Sequence, residues 1–109
     1  MATLEAFFED DDPMVNEIQT LSEKIKQRRT QMLVHSYLYY ELDESVIDDH
    51  KWQYWADELV ELQKQKMDIG FYDEAFKDWT GASGAFLPFD GWVKERAKYL
   101  LHLNQKPDI

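Results

Sequence analysis

Six aromatic residues lie within nineteen positions in the middle of the chain, where their rings could stack on a flat ligand. They are Tyr37, Tyr39, Tyr40, Trp52, Tyr54 and Trp55. Rings at helical spacing most often pack in a core. If these side chains are exposed, they could instead clamp a planar ring of a ligand. They could also form the hot spot of a protein interface, where Tyr and Trp are enriched. The sequence leaves these three interpretations open.

Carboxylates surround these rings. Between positions 41 and 61 the chain has eight acidic residues and a single lysine. A solvated helical face is the simpler interpretation. The alternative is a docking surface that imitates a nucleic-acid backbone and occupies a basic groove. The candidate partner-binding residues are Asp43, Glu44, Asp48, Asp49, Asp57, Glu58 and Glu61, together with Phe7 and Phe8 near the N-terminus.

The chain shows no arrangement of Cys, His, Asp or Glu residues that is typical of a catalytic site or a metal site. The chain has no cysteine, and its histidines, His35, His50 and His102, are scattered without a nucleophile beside them. The acids near position 45 fit no calcium-loop spacing, and the segment from Gly81 to Gly84 lacks the lysine of a phosphate-binding loop. The sequence therefore predicts a protein that is not an enzyme and holds no metal.

Length and charge narrow the class further. The chain has 109 residues and a net charge of -10, and its one locally basic stretch holds Arg28 and Arg29. This length predicts one domain. The acidity argues against direct binding of nucleic acid, which needs clustered Lys and Arg. No apolar run reaches a membrane-spanning length and no signal peptide is visible, so the expected location is the cytoplasm.

Helical periodicity predicts the elements that carry these residues. After an acidic and apolar arm at 1–12, Asp12 and Pro13 are typical of a helix start. Apolar spacing then predicts a helix from about 13 to 42, whose inward face holds Met14, Ile18, Leu21, Ile25, Met32, Ser36 and Tyr39. A turn at 43–47 precedes a second helix, which Asp48 or Asp49 caps and which ends near 67–70.

The predicted fold is all-α: a long antiparallel helical hairpin, with a shorter C-terminal helix and an aromatic loop packed on it. A single helical domain spans 13–103, with the hairpin at 13–69, the loop and C-terminal helix at 70–103, and a tail at 104–109. A short helix is expected at 72–79, and Asp90 is expected to cap the last helix. The core is expected to centre on Ile18, Leu21, Ile25, Leu59 and Leu62.

Three segments carry a resemblance to a known family: HSYLYYELD at 35–43, IDDHKW at 47–52 and ELVEL at 58–62. Together, residues 25–67 resemble the N-terminal helical subdomain of bacterial NAD-dependent DNA ligases. In that family the subdomain clamps the nicotinamide mononucleotide (NMN) half of NAD. Aromatic rings stack on the nicotinamide, and carboxylates reach its amide and ribose.

The resemblance implies candidate cofactor-binding residues at particular positions. Tyr39 and Tyr40 match the paired rings, Asp49 matches the first acid after the turn, and Trp52 stands where the family usually has tyrosine. Gln53 replaces an aspartate, so one carboxylate of the family is missing. The resemblance thus implies NMN or NAD as a ligand.

Ligation itself is not implied. Adenylyl transfer in the ligase family needs a Lys-x-Asp-Gly nucleophile, and the single Asp-Gly pair here, Asp90 and Gly91, has no lysine two positions ahead. The ligase comparison therefore extends to the hairpin and not to the reaction.

The segment WTGASGAFLPFDGWV at 79–93, with the helix after it, resembles small stand-alone proteins of tailed phages and prophages. This second resemblance implies a complete phage accessory protein, and the acidity of the chain favours a host or phage protein with a basic surface as its partner. We expect an inhibitor or modulator of host nucleic-acid machinery in the bacterial cytoplasm. The alternatives are a nicotinamide-nucleotide binding module, and a structural protein that self-associates, for example as a homodimer through its long helix.

Overall fold

A computed structural model describes residues 19–104 of the chain, and all regular elements in that range are α-helices. They are α1 Leu21–Glu41, α2 Asp49–Gln65, α3 Asp73–Phe76 and α4 Gly91–Asn104. Residues 19–104 contain no β-strand, which confirms the predicted all-α class. The predicted arm at 1–12, with Phe7 and Phe8, and residues 105–109 of the predicted tail lie outside the described residues.

Helix α1 begins later than the periodicity predicts. Thr20 is its N-cap: the Thr20 hydroxyl accepts from the backbone N–H of Glu23 at 3.1 Å, and the Glu23 carboxylate accepts from the backbone N–H of Thr20 at 2.9 Å. This reciprocal pair satisfies N–H groups that a helix start leaves free. Residues 19 and 20 are not helical, so the prediction of one unbroken helix from 13 to 42 is wrong there.

Helices α1 and α2 form the predicted antiparallel hairpin, joined by residues 42–48. Near the start of α1, Arg28 pairs with Glu58, whereas His35, two turns later, packs its ring against Trp55 with the centroids 5.6 Å apart. The partner number falls as the α1 number rises, which is the register of antiparallel helices. The Asp48 side chain accepts from the backbone N–H of Lys51 at 2.8 Å and so begins α2.

Helix α1 is the centre of the domain, because it packs against α2 and also against α4. Every residue from Arg28 to Leu38 is buried, including polar side chains such as Gln31. The sequence predicted a helix with one inward face that included Tyr39, but the Tyr39 side chain is 54% exposed. Because α2 and α4 pack on two sides of α1, its buried residues do not form a single apolar stripe.

The hydrophobic core joins the three longer helices to the loop that precedes α4. Its fully or nearly fully buried members are Ile25, Met32, Leu33, Val34, Tyr37, Leu38, Trp55, Ala56, Leu59, Phe76, Leu87, Val93, Ala97 and Leu100. The predicted core residues Ile25 and Leu59 are confirmed, and Leu21 and Leu62 are half-buried against them. Ile18, also predicted in the core, lies outside the described residues.

Arg29 of α1 is fully buried and ties the connection after α2 to the core. Its Nε donates to the Gln63 side chain at 2.7 Å. One Nη donates to the backbone carbonyl of Phe71 and to the Asp73 carboxylate, each at 2.7 Å, and the other donates to the carbonyl of Met67 at 2.8 Å. The guanidinium therefore holds the end of α2 and the start of α3 against α1.

Asp73 makes this anchor dependent on pH. Its carboxylate accepts from the backbone N–H groups of Ile69 and Gly70 and from Arg29, and these contacts, the Ile69 bond foremost, lower the pKa of Asp73 to about 2. A carboxyl whose folded pKa is depressed stabilises the fold above its unfolded pKa, and that stabilisation is lost as pH falls through the folded value.

We therefore expect the urea midpoint to fall as pH drops from about 5 to about 2, with Asp73 as one contributor. An Asp73→Asn variant should show a shallower fall across this range. Asp78→Asn, which changes an exposed aspartate, is the control and should keep the slope of the parent protein. Equal slopes for Asp73→Asn and the parent protein would contradict this account.

None of the helices in residues 19–104 combines the length and the apolar character that crossing a bilayer demands.

Candidate functional site

A cleft of about 240 Å³ opens where the end of α1, the α1–α2 connection and the first turns of α2 meet. Tyr39, Tyr40, Asp49 and Trp52, the four candidate cofactor-binding residues, all line it. Pockets for drug-sized ligands usually start near 300 Å³. A cleft of this size suits one ring with its sugar better than a whole dinucleotide.

The aromatic wall of the cleft stands on the last turn of α1, beyond the cover of the other helices. Tyr39 and Tyr40 are 54% and 44% exposed, and their rings meet edge to face with centroids 4.9 Å apart. Trp52 lies on α2, half-buried, and its ring is nearly perpendicular to that of Trp79, with the centroids 6.3 Å apart. These three rings thus have free surface facing the cleft.

The six aromatic residues singled out in the sequence do not all have the same role: some pack in the core and others line the cleft. Tyr37 and Trp55 are core residues, whereas Tyr54 is 63% exposed and does not line the cleft. Core packing therefore explains Tyr37 and Trp55, and Trp52 in part, since Trp52 is half-buried against the core.

The mouth of the cleft is acidic. Glu44, Asp48 and Asp49 line it, and its lining includes no lysine or arginine. Glu58, Glu61 and Asp73 form ion pairs and lie outside the cleft lining. The cleft is therefore suited to positive charge and unsuited to negative charge.

Ser36 lines the floor of the cleft, and the sequence did not identify it as a site residue. Its side chain is fully buried, and its Oγ has no hydrogen-bond partner among the described residues. A buried hydroxyl without a partner is destabilising, and such groups are uncommon in folded proteins. The sequence carried one weak signal, a polar residue on a face otherwise assigned as apolar.

The loop before α4 closes the far side of the cleft. The Tyr40 hydroxyl lies 3.0 Å from the Ser83 hydroxyl, and the Gln53 amide donates to the backbone carbonyl of Gly81 at 3.2 Å. Gly84 packs directly on Ser36, so closely that a Cβ on Gly84 would lie 2.7 Å from the Ser36 Cβ. Gln53, where the ligase family has aspartate, thus holds the loop in place.

We expect Gly84→Ala to destabilise the protein by about 1–3 kcal/mol, because the new methyl group overlaps the Ser36 side chain. Urea denaturation measures the loss. Adding Ser36→Gly removes both overlapping atoms, so the double variant should lose less stability than the sum of the two single variants. If the losses of stability from the two single variants simply add in the double variant, residues 84 and 36 are not in direct contact. Gly91→Ala, whose Cβ would meet nothing within 4 Å, is the matched control.

The candidate partner-binding acids have different environments. Glu58 pairs with the buried Arg28 at 2.6 Å and lies 3.9 Å from Lys24, so it holds the hairpin together. Glu61 pairs with Lys64 at 2.9 Å on the surface. Asp57 is exposed and accepts from the Gln53 amide at 2.9 Å.

The other four acids cluster around the α1–α2 connection. Glu44, Asp48 and Asp49 line the cleft, and Asp43 is exposed in the connection with a φ of 55°. Partner binding by the seven acids stays a prediction, and Phe7 and Phe8 lie outside the described residues. Within residues 19–104, no group of three or more His, Asp or Glu side chains is placed to hold a metal ion.

Comparison with known proteins adds no relative. No family model, no curated protein and no solved structure matches this chain. The resemblance to the ligase subdomain therefore rests on the residues quoted above.

Proposed function

We propose that the chain is a non-enzymatic binding protein whose cleft receives the nicotinamide end of NMN or NAD. The observation that carries this proposal is the cleft itself. The residues that the resemblance assigns to the ligand belong to two helices and line one cavity: Tyr39, Tyr40, Asp49 and Trp52.

The chemistry of the ring fits this lining. In its nucleotides, nicotinamide is a flat pyridinium cation, and a cation is attracted to the faces of Tyr and Trp rings. Asp49 adds an opposite charge at the same place. Because the cleft holds about 240 Å³, the adenosine half of NAD would remain outside it.

Calorimetry with NMN, NAD and adenosine monophosphate tests the proposal. We expect NMN and NAD to bind. Adenosine monophosphate, which lacks the nicotinamide ring, should give no heat. Tyr39→Leu should weaken NMN binding by about tenfold, a loss of about 1.4 kcal/mol. Tyr54→Leu removes a somewhat more exposed tyrosine outside the cleft and should leave affinity unchanged. No heat with NMN or NAD at millimolar concentration would refute the proposal.

A second candidate function is protein binding. We propose that the chain is a small acidic phage or prophage accessory protein that binds a basic protein surface in the bacterial cytoplasm and modulates host nucleic-acid machinery. Phe86 supports it, since its ring is 99% exposed at the turn before α4. An exposed aromatic residue is a typical interface anchor, and Asp43, Asp57 and Glu61 supply exposed negative charge.

Retention of a host partner on the immobilised protein tests this second function. We expect one partner to bind at low salt, and Phe86→Ser to abolish binding at every salt concentration. Substituting Asp57→Asn and Glu61→Gln together should lower the salt at which the partner elutes, whereas Glu74→Gln and Glu95→Gln together should not. Sedimentation separates the remaining alternative, because a stable dimer that survives Phe86→Ser would favour a self-associating structural protein.

A further inference from the structure

We propose that the cleft is also the place where the basic partner docks, and that it receives an arginine side chain of that protein. This inference rests on the second proposed function, protein binding, and names the group of the partner that is recognised. An arginine bound in this way competes with a nicotinamide ring, because both are flat cations that enter the same cavity.

Two carboxylates of the cleft have no partner among residues 19–104. Glu44 is half-buried and Asp49 is exposed, and neither carboxylate makes a hydrogen bond or an ion pair within that range. A half-buried carboxylate is attracted to a cation more strongly than one at an open surface, because less water screens the pair. Asp48, the third acid of the lining, is already engaged as the cap of α2.

The positive groups around the cleft do not offset these acids. Within residues 19–104 the lining holds no lysine or arginine, and Lys51, further along α2, is not part of it. His35 does line the cleft, although it is only 4% exposed. A protonated His35 and the positive end of α2 together supply about 1.5 positive charges, against the three carboxylates of Glu44, Asp48 and Asp49. A cation is therefore favoured there.

The aromatic wall favours a guanidinium over an ammonium. Tyr39 and Tyr40 meet edge to face at the end of α1, and Trp52 adds a third ring from α2. A guanidinium stacks on such rings and presents paired N–H groups that match a carboxylate, whereas an ammonium is a compact and strongly hydrated point charge. Because the lining offers both rings and carboxylates, it selects arginine rather than lysine.

Hydrogen bonds within the protein fix the backbone around the cleft. The Glu44 N–H donates to the Leu38 carbonyl at 2.9 Å, and Asp43 between them has a left-handed φ of 55°. This arrangement is typical of a helix end and ties Glu44 to α1. On the other side, the Tyr40 hydroxyl lies 3.0 Å from the Ser83 hydroxyl. Groups that are already ordered lose little entropy on binding, which favours affinity.

The loop that closes the cleft favours a protein as the source of the arginine. Phe86 follows Gly84 by two residues in this loop, and its ring is 99% exposed. Burying this ring against a partner adds an apolar contribution that free arginine does not supply. The partner surface is therefore expected to present an arginine together with an apolar pocket for Phe86.

Nuclear magnetic resonance titration with N-acetylarginine amide, N-acetyllysine amide and N-acetylcitrulline amide tests the recognition. The first two probes carry the same charge, and citrulline keeps the shape of arginine without its charge. We expect the arginine probe to shift the signals of the cleft residues and to bind at least about fivefold tighter than the lysine probe. The citrulline probe should not bind.

Two pairs of variants locate the arginine in the cleft. Glu44→Gln should weaken the arginine probe by about fivefold, whereas Glu95→Gln, an equal charge change outside the cleft, should not. Tyr39→Leu and Tyr54→Leu form the second pair, with the loss expected for the first alone. Glu44→Gln should also melt no lower than the parent protein, because its carboxylate has no partner among the described residues.

Retention of the host partner on the immobilised full chain tests the docking itself. We expect Glu44→Gln to retain at least about fivefold less partner than the parent protein does, and Glu95→Gln to retain the same amount. N-acetylarginine amide should elute the partner at a concentration at which N-acetyllysine amide does not. Because the two eluents have equal charge, this difference reports the guanidinium and not the ionic strength.

The outcomes separate this inference from the proposed functions. Equal retention of a partner by Glu44→Gln and the parent protein would overturn the arginine docking and leave protein binding intact. Equal affinity for the arginine and lysine probes, or simultaneous binding of NMN and the arginine probe, would also overturn it. Binding of the arginine probe without any retained partner would overturn docking of a protein. Absence of both would overturn the inference together with the second proposed function.

Discussion

Replacing Arg29 with methionine is expected to lower the free energy of unfolding by about 3–5 kcal/mol, the usual cost of breaking a buried ion pair. Arg29 is fully buried, and its guanidinium donates to Gln63, Asp73 and two backbone carbonyls. Methionine keeps an unbranched apolar stem but removes the guanidinium, whose carbon lies 5.4 Å from the centre of the Phe76 ring. The loss therefore reports the guanidinium's hydrogen bonds, its ion pair with Asp73 and its contact with Phe76 together.

Urea denaturation followed by circular dichroism measures this loss. Lys98→Met, which removes a positive charge from the exposed side of α4, is the control and should change stability by less than about 0.5 kcal/mol. Because Arg29 holds the connection after α2, we also expect proteolysis of Arg29→Met to begin between residues 66 and 72. A loss below about 1 kcal/mol would mean that the anchor contributes little.

Leu59→Ala should cost about 2–5 kcal/mol, because a large buried side chain is removed from a position where the core can relax only in part. Leu59 has no solvent exposure and belongs to the core cluster shared by the helices. For a domain of this size that cost is a large share of the total stability. Thermal melting should show a clear drop in the midpoint.

Leu62→Ala is the matched control for this cavity. Leu62 lies three residues further along α2 and is half-buried, so the same substitution removes less buried surface. We expect its loss to be smaller than that of Leu59→Ala. Equal losses would contradict the placement of Leu59 at the centre of the core.

Local signals account for most of the correct predictions about the fold. Two of the acids expected to cap helices do so: Asp48 begins α2, and the Asp90 carboxylate accepts from the backbone N–H of Val93 at 3.1 Å at the start of α4. Both are side chains that bind their own backbone within three residues, which a sequence reports directly. Asp12, expected to cap the first helix, lies outside the described residues. The capping box of Thr20 and Glu23 is equally local. It was not predicted, because the apolar spacing on both sides of these residues indicated one unbroken helix.

Interactions between distant segments account for what the sequence did not predict. Arg28 and Arg29 belong to a locally basic stretch in the sequence, yet both are buried and pair with acids thirty or more positions away. The contact between Ser36 and Gly84 likewise joins α1 to a loop far along the chain. The rings and acids of the cleft were predictable by type and position, whereas its floor and far wall depend on these long-range contacts.

The central position of α1 also sets an order for the folding reaction. The contacts between α1 and α2 need closure of the short connection at 42–48, whereas those between α1 and α4 need closure across the whole of α2 and the following loop. Longer loops cost more entropy to close, and distant contacts form later. We therefore expect the hairpin to form first and α4 to dock last, so that α1 keeps one side uncovered until the final step of folding.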